Sequence, residues 1–328
     1  MKFKVMPQGW RLALGAAFVL VAATSHPGVA QDYPSRAMHI VTSSPPGGGG
    51  DVLVRFVAQK LSALSGQSVV VENKPGAGGN IATDYVVNAK PDGYVMLAAP
   101  SSTVIANRFV IKDTRYDALR DLTAVAPFLQ VGNALVVGTK VSAGNVKDFV
   151  EELRRLSRPI LYGVPTASSL ATAQMFLSMT GLKGTQVAYK SMVDAASGVA
   201  ANELDFAFID TTLAAGQAKQ GRMKILAVSP AKRLASAPDL PTIAESGIGK
   251  FDYINFWAVW MPAKAPADAV QKVAGWLNQI AGDPATKQFF VNQGSEALQG
   301  TPQELTARMK EHHEQWLEIV KAAKIEPQ

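Results

Sequence analysis

The sequence predicts an α/β protein of two lobes, each a mostly parallel sheet flanked by helices, with two crossovers joining the lobes. Short apolar runs alternate with segments in which apolar residues recur every three or four positions. This alternation is typical of parallel βαβ units covered by helices on both faces. The pattern runs once through the first part of the chain and then repeats. A helical region without an obvious strand ends the chain.

The two lobes are expected to be discontinuous in sequence. The chain leaves the first group of strands near residues 126–133 and returns to it near residues 253–257. We therefore expect residues 31–130 and 254–328 to form lobe 1 and residues 131–253 to form lobe 2.

The first thirty residues predict a secretory signal peptide. Lys2, Lys4 and Arg11 precede an apolar run, residues 12–23, which is too short to span a bilayer as a stable helix. Small residues then lead to an expected cleavage after Ala30. The alternative is a membrane anchor that the mature protein retains. With cleavage, we expect the mature protein to be soluble outside the cytoplasm.

The composition narrows the function further. The chain has 328 residues, 48% of them hydrophobic, and no cysteine, so disulfides, thiolate metal sites and a lipid-modified cysteine are excluded. Removal of three basic residues and no acidic residue with the signal peptide lowers the net charge from +6 to +3. Since no basic stripe interleaved with aromatics occurs, we expect no nucleic-acid partner.

The spacing of apolar residues predicts the strands and helices of the first lobe. Apolar runs predict strands at residues 38–42, 69–72 and 94–98. A helix is expected from Asp51, with Leu53, Val57, Leu61 and Leu64 on one stripe, and another over residues 80–88.

The second lobe repeats this arrangement, and Gly181 is expected to end one of its helices. Strands are predicted at residues 134–137, 161–162, 187–189, 206–209 and 224–229, and helices at residues 146–156 and 170–180. After a returning strand at residues 256–261, three helices are predicted. The last of them opens on Thr301, Pro302 and Glu304, a capping box with proline at the first helical position.

A run of four glycines is the feature that most strongly indicates function. Gly47, Gly48, Gly49 and Gly50 lie between the first strand and the first helix. Their backbone N–H groups are uncovered at the positive end of a helix dipole, so we expect an anion such as a carboxylate or phosphate to bind there. Asp51 is expected to cap the helix. The spacing fits neither the mononucleotide nor the dinucleotide fingerprint, and a simple turn is the alternative.

Hydroxyl-rich loops follow other predicted strands in both halves of the chain. Ligands of open α/β sheets bind beside the carboxyl ends of parallel strands, and hydroxyls with backbone amides suit a carboxylate. Each loop could instead only cap the helix after it. Asp210 could select a ligand that carries an amine or a hydroxyl. The residues concerned are Ser101, Ser102, Thr166, Ser168, Ser169 and Asp210.

Catalytic and metal sites have little support in the sequence. His312 and His313 are adjacent on the last helix and therefore point about 100° apart, so we expect them on a solvated face. No zincin or nucleophile-elbow motif occurs, and we expect no catalytic residue, metal or cofactor. Phe256, Trp257 and Trp260 are expected to pack in the core or between lobes, or one ring could wall a cleft.

Over essentially its whole mature length the chain resembles the Bug-type substrate-binding proteins of tripartite tricarboxylate transporters. The resemblance implies a two-lobed periplasmic binding protein, type II-like, that closes on a small, usually carboxylated solute and offers it to the membrane subunits of the transporter. The matching residues are Tyr33-Pro34, Pro46 to Gly49 with Asp51, Val71 to Asn80, Pro91 to Tyr94, Tyr162-Gly163, Tyr189-Lys190, Leu240 to Thr242, Glu245 to Gly247, and Pro262 to Pro266.

The resemblance also implies the ligand contacts. In that family, backbone amides and ordered water of the first glycine loop hold the ligand carboxylate, and loops of the second domain complete the cleft. Carried over, these positions are Ser44, Gly47, Gly48, Gly49, Gly50, Ser101, Ser102, Thr166 to Ser169, and Asp210.

Several ligand loops depart from the family pattern. Ser43 and Ser44 replace a Phe-Ala pair before Pro45, and Gly50 replaces a hydroxyl residue before the aspartate. The loop after Gly163 lacks the usual glycine-serine run and histidine. The sequence therefore leaves the cargo open. Two other functions stay open with it: a ligand-loaded receptor for a membrane sensor, and a hydrolase that uses Ser168 or Ser169.

Overall fold

The computed structural model describes residues 33–323 and 325–327. The predicted signal peptide and its cleavage site lie outside the described residues. Within them the chain forms two α/β lobes on one mixed sheet, in which the neighbouring strands follow the order β2-β1-β3-β9-β4-β7-β5-β6, while β8 and β10 also pair with β4. No helix in the described ranges is long and apolar enough to cross a membrane.

Lobe 1 opens with parallel pairing. β1 (Met38–Thr42) pairs in parallel with β2 (Val69–Asn73) on one side and with β3 (Val95–Pro100) on the other. Helices α1 (Gly49–Ser65) and α2 (Asn80–Val87) make the connections. This part of the sequence prediction is confirmed to within a few residues at each boundary.

Two long antiparallel strands join the lobes. β4 (Leu122–Gly138) has 17 residues, and short helices α3 (Asn107–Val110) and α4 (Ala118–Asp121) precede it. It pairs with β9 (Ile254–Pro262) as far as Gly132 and with the strands of the second lobe from Asn133 onwards. The sequence marked only residues 134–137 of this strand. Because β4 and β9 are antiparallel, the sheet is parallel only towards its outer strands.

Lobe 2 alternates strands with helices as predicted. Its central strands and the helix between them carry an apolar core that includes Tyr162, Phe176, Phe206 and Phe208. The elements are α5 (Val146–Arg154), β5 (Ile160–Val164), α6 (Ala167–Thr180), β6 (Gly184–Ala188), α7 (Met192–Ala200), β7 (Phe206–Asp210), α8 (Thr211–Lys219) and β8 (Met223–Val228). Gly181 ends α6 in the left-handed conformation, with φ 69°.

The C-terminal region has the three predicted helices and one short strand that the sequence did not indicate. They are α9 (Ala267–Gly282), α10 (Pro284–Asn292), β10 (Glu296–Ala297) and α11 (Pro302–Ala323). The capping box is confirmed: the Thr301 N–H donates to Glu304 Oε2 at 2.7 Å, and the Glu304 N–H donates to Thr301 Oγ1 at 3.2 Å.

Helix α11 packs against both lobes. Leu305 and Met309 belong to a core cluster with strands of lobe 1, whereas Trp316 and Ile319 belong to the core of lobe 2. The predicted assignment of residues 254–328 to lobe 1 alone stays a prediction.

The expectation that His312 lies on a solvated face is wrong. Its side chain is buried between the Phe256 ring, 4.8 Å away between centroids, and the Tyr253 ring. The reason is the spacing of three and four residues that places position 312 on the same stripe as Met309 and Trp316. His313 is only partly buried.

Candidate functional site

A cavity of about 730 Å³ lies between the lobes. Lobe 1 contributes Ser102 and Asn107, lobe 2 contributes Thr166 and Asp210, and β9 contributes Trp257. Described residues after α11, Ile325 to Pro327, also reach this wall. The volume suits a small solute.

The N-terminus of α6 forms the lobe 2 wall. Thr166 is the N-cap, and its Oγ1 accepts the Ser169 N–H at 3.2 Å and lies 3.0 Å from the hydroxyls of both Ser168 and Ser169. Thr166, Ala167 and Ser168 line the cavity, whereas Ser169 does not. The first turn carries no acidic side chain. The positive end of a 14-residue helix is therefore open to an anion.

The two predicted serines of lobe 1 are held by Asn255. Ser101 Oγ donates to Asn255 Oδ1 at 2.6 Å, the Ser102 N–H donates to the same oxygen at 3.1 Å, and Asn255 Nδ2 donates to Ser102 Oγ at 3.1 Å. Ser101 is fully buried, whereas Ser102 and Asn255 line the cavity. Asn255 was missed because its role depends on β9 lying beside β3.

The first glycine loop lies beside the cavity, one side chain away from it. None of the predicted residues of this loop lines the cavity: Ser44, Gly47, Gly48, Gly49 and Gly50 all lie behind its wall. Gly78, from the second glycine turn, does line it. A Cβ on Gly50 would stand 2.2 Å from Ser44 Oγ and 2.5 Å from Cη2 of Trp257. Trp257 thus packs on the loop with one part of its ring and lines the cavity, which was the alternative the sequence left open for one aromatic ring. Phe256 and Trp260 are buried core residues.

Asp51 does not occupy the expected capping position. Helix α1 starts at Gly49, its N-cap is Gly48, and no side chain caps it. Asp51 is instead a buried residue of the first turn that accepts hydrogen bonds from the Gly47 N–H at 2.8 Å, Arg55 Nε at 2.9 Å and Asn73 Nδ2 at 2.7 Å. Burial alone would raise its pKa, but these bonds outweigh burial and lower the pKa to about 2. Asp51 therefore shapes the glycine loop.

The Asp210 carboxylate lines the cavity, and no described residue forms an ion pair with it. Asp210 ends β7 and is the N-cap residue of α8, but its side chain makes no capping bond. The hydroxyl of Thr211, the first residue of α8, donates instead to the Gly294 carbonyl at 2.9 Å. Burial raises the pKa of Asp210 to about 6. The capping role that the sequence left open is thus absent at this residue.

The charged lining residues of the cavity are both acidic. They are Asp210 and Glu326, and no lysine, arginine or histidine of the described chain lines it. An anion would therefore be held by helix-terminal amides and hydroxyls. In the same described ranges, no group of three or more His, Asp or Glu side chains is placed to hold a metal ion.

Two α/β lobes joined by antiparallel crossovers, with a polar cavity between them, define a solute-binding protein of the periplasmic type. The chain belongs to the tripartite tricarboxylate transporter family of receptors, because the model of that family matches residues 53–325. The family implies a small solute as ligand and transporter subunits in the membrane as partners. Its relatives are solute-binding proteins.

Known relatives support the assignment along almost the whole chain. A UPF0065 protein of Bordetella bronchiseptica is 33% identical over 98% of this chain and 95% of its own length. Among solved structures, Rpa4515 of R. palustris with adipate is 28% identical with a TM-score of 0.83, covering 90% of this chain and 100% of that one. The periplasmic binding protein BugD is also 28% identical, with a TM-score of 0.78 and the same coverage.

Proposed function

We propose that this protein captures a small carboxylate-bearing solute between its lobes and delivers it to the membrane subunits of a tripartite transporter. The observation that carries the proposal is the N-terminus of α6, which presents Thr166, Ala167 and Ser168 to the cavity with no acidic residue in the first turn. The 28% identical Rpa4515 was solved with adipate, which supports a carboxylate as ligand.

Binding would proceed by closure of the two lobes about β4 and β9. The change of strand partners at Gly132 and Asn133 of β4 supports a hinge at these residues. Closure would bring the amides of Gly49 and Gly50, which no side chain caps, towards the solute. The proposed site has further members, which donate hydrogen bonds to the solute or hold the residues that do. They are Ser44, Gly47, Gly48, Ser101, Ser102, Ser168 and Ser169.

The location and the absence of catalysis are parts of the same proposal. We place the mature protein in the periplasm after cleavage behind Ala30. A hydrolase is disfavoured because the hydroxyls of Ser168 and Ser169 lie against Thr166 Oγ1, and no histidine of the described chain lines the cavity.

The proposal is tested by introducing a glutamate at the N-terminus of α6, where the ligand carboxylate would bind. Ala167 is the first residue of α6 and lines the cavity, so Ala167→Glu should keep the helix stable while it repels an anionic ligand. Ala267→Glu, at the exposed first residue of α9, is the matched control. Titration calorimetry with C4 to C6 mono-, di- and aminocarboxylates should show binding to wild type and the control and a loss of at least about tenfold in Ala167→Glu. Equal affinity in all three proteins, or no binding by any, would overturn the proposal.

A further inference from the structure

The proposed binding of a carboxylated solute does not explain why the cavity wall carries the acidic side chain of Asp210. Asp210 lies at the cavity wall at the end of β7, makes no bond to the helix that it precedes, and forms no ion pair with a described residue. The buried Tyr253 interacts with it electrostatically, and Asp210 adds to the raised pKa of that phenol. The neighbouring titratable group is thus neutral and supplies no positive charge.

The position of Asp210 relative to α6 follows from the sheet. β5 and β7 are adjacent and parallel, with Tyr162 beside Phe206 and Gly163 beside Ala207. The loops that follow two such strands leave the same edge of the sheet, about 5 Å apart in the pairing direction. The N-terminus of α6, which follows β5, and Asp210, which ends β7, are therefore neighbouring subsites of opposite polarity.

The charge balance of the cavity selects between ligand classes. A dicarboxylate held at α6 would bring a second negative group into a cavity whose charged lining residues are Asp210 and Glu326. Like charges in a partly dehydrated site repel strongly, whereas a cation placed there compensates the carboxylate. An uncharged end group would leave the Asp210 carboxylate without a partner.

We propose that the preferred solute is an amine-bearing carboxylate, whose carboxylate binds at the N-terminus of α6 and whose protonated amine binds Asp210. This inference rests on the proposed function and names the chemical class of its ligand. Asp210 is then the residue that determines specificity, and the solute is neutral overall when it enters the cleft.

The two ligand classes predict opposite effects of pH. The pKa of Asp210 in the free protein is about 6 because of burial. Raising the pH through 6 ionises the carboxyl, so an aminocarboxylate should bind more tightly and a dicarboxylate more weakly. Two other titratable groups lie near Asp210. Tyr253, from the segment before β9, interacts with it electrostatically, and Glu326 lines the same cavity. His312 of α11 is one step further away, against the Tyr253 ring. The pH series is therefore repeated with His312→Gln and with Glu326→Gln, to separate the titration of these two groups from that of Asp210.

The experiment is titration calorimetry with acids matched in length. One set is 4-aminobutanoate, glutarate and butanoate, and the other is 5-aminopentanoate, adipate and pentanoate. In whichever length set binds wild type more tightly, the amino acid should bind at least about tenfold more tightly than the dicarboxylate and the monocarboxylate of the same set at pH 7.5. Asp210→Asn should abolish that preference. Glu326→Gln removes the other acid of the cavity, which is exposed, and should reduce the preference much less than Asp210→Asn does.

The outcomes separate this inference from the proposed function. Tighter binding of a dicarboxylate, with Asp210→Asn leaving the order of affinities unchanged, would overturn the inference and leave carboxylate capture standing. Binding of none of the six acids would overturn the proposed function, and the inference with it. The pH series on wild type needs no variant, so affinity for the amino acid that falls between pH 5 and 7 would contradict the inference even if Asp210→Asn did not fold.

Discussion

The indole of Trp257 packs directly on the backbone of Gly50, where a Cβ would stand 2.5 Å from Cη2 of the ring. The same ring lines the cavity between the lobes. The side chain that is absent at residue 50 therefore sets where one wall of the cavity lies.

Gly50→Ala should displace Trp257 and weaken ligand binding. The added methyl group would also meet Ser44 Oγ at 2.2 Å, so the overpacking should cost about 1–3 kcal/mol of stability. Gly49→Ala is the matched control, because a Cβ at the preceding helical residue meets nothing within 4 Å. Thermal unfolding and ligand titration measure both effects. Equal behaviour of the two variants would contradict the packing described.

Asp51→Asn should destabilise the protein and flatten its acid response. The folded pKa of about 2 lies below the ordinary value of 3.8, so the carboxylate contributes stability that is complete above pH 4 and is lost as the pH falls through 2. A contribution of about 2 kcal/mol follows from a shift of this size. Chemical unfolding at pH 7 and pH 3 measures it. Asp194→Asn is the control, since Asp194 is also in a first turn, that of α7, but is exposed; a loss as large there would refute the assignment.

His312 should make the protein sensitive to mild acid. Burial, and then the nearby Arg308 charge, lower its pKa to about 4. The unfolded state, with a pKa of about 6.5, therefore takes up a proton first, and stability should fall as the pH drops from 6.5 towards 4. His312→Gln should reduce that slope in melting temperatures taken across this range. His313→Gln on the adjacent, partly buried position is the control, and an equal reduction there would count against His312 as the origin.

Asp210 should act in the opposite direction. Its folded pKa of about 6 exceeds the ordinary value of 3.8 because of burial, so ionisation costs stability as the pH rises from 4 through 6. Asp210→Asn should therefore raise the melting temperature at pH 7.5 and leave it nearly unchanged at pH 4. Glu326→Gln, exposed at the same cavity, serves as the comparison. A lower melting temperature of Asp210→Asn at pH 7.5 would show that the carboxylate is compensated after all.

Trp316→Ala should be among the most destabilising single changes in α11. The ring is fully buried in the core of lobe 2 and stacks with Phe109, 6.4 Å away between centroids. Truncation of such a side chain costs about 3–5 kcal/mol. Leu317→Ala, whose side chain is 50% exposed, should cost well under about 1 kcal/mol. Denaturant unfolding distinguishes the two, and similar midpoints would contradict the packing of α11 on lobe 2.

Features set by a few neighbouring residues were predictable from the sequence. The capping box of Thr301 and Glu304 and the left-handed Gly181 are local arrangements, and the structure has both. The strand and helix order of each lobe followed from periodicity, because each element buries one face. The length of β4 could not be predicted from periodicity, because its residues pair with different strands on either side of Gly132.

The contacts of the candidate site depended on tertiary structure. Nothing near Asp210 in sequence shows that its carboxylate leaves α8 uncapped, because Thr211 bonds to a segment more than eighty residues away. The position of Trp257 depends on Gly50, a residue from a distant part of the chain, because a side chain at that position would clash with the ring. The burial of His312 had a local sign, the apolar stripe of α11, which the adjacent histidine pair obscured.

The placement of α11 has a consequence for how the molecule unfolds. This single helix supplies Leu305 to one core and Trp316 to the other. Neither core is complete without it, so the two lobes share one structural element. Once the helix docks, the halves should melt together in one calorimetric transition.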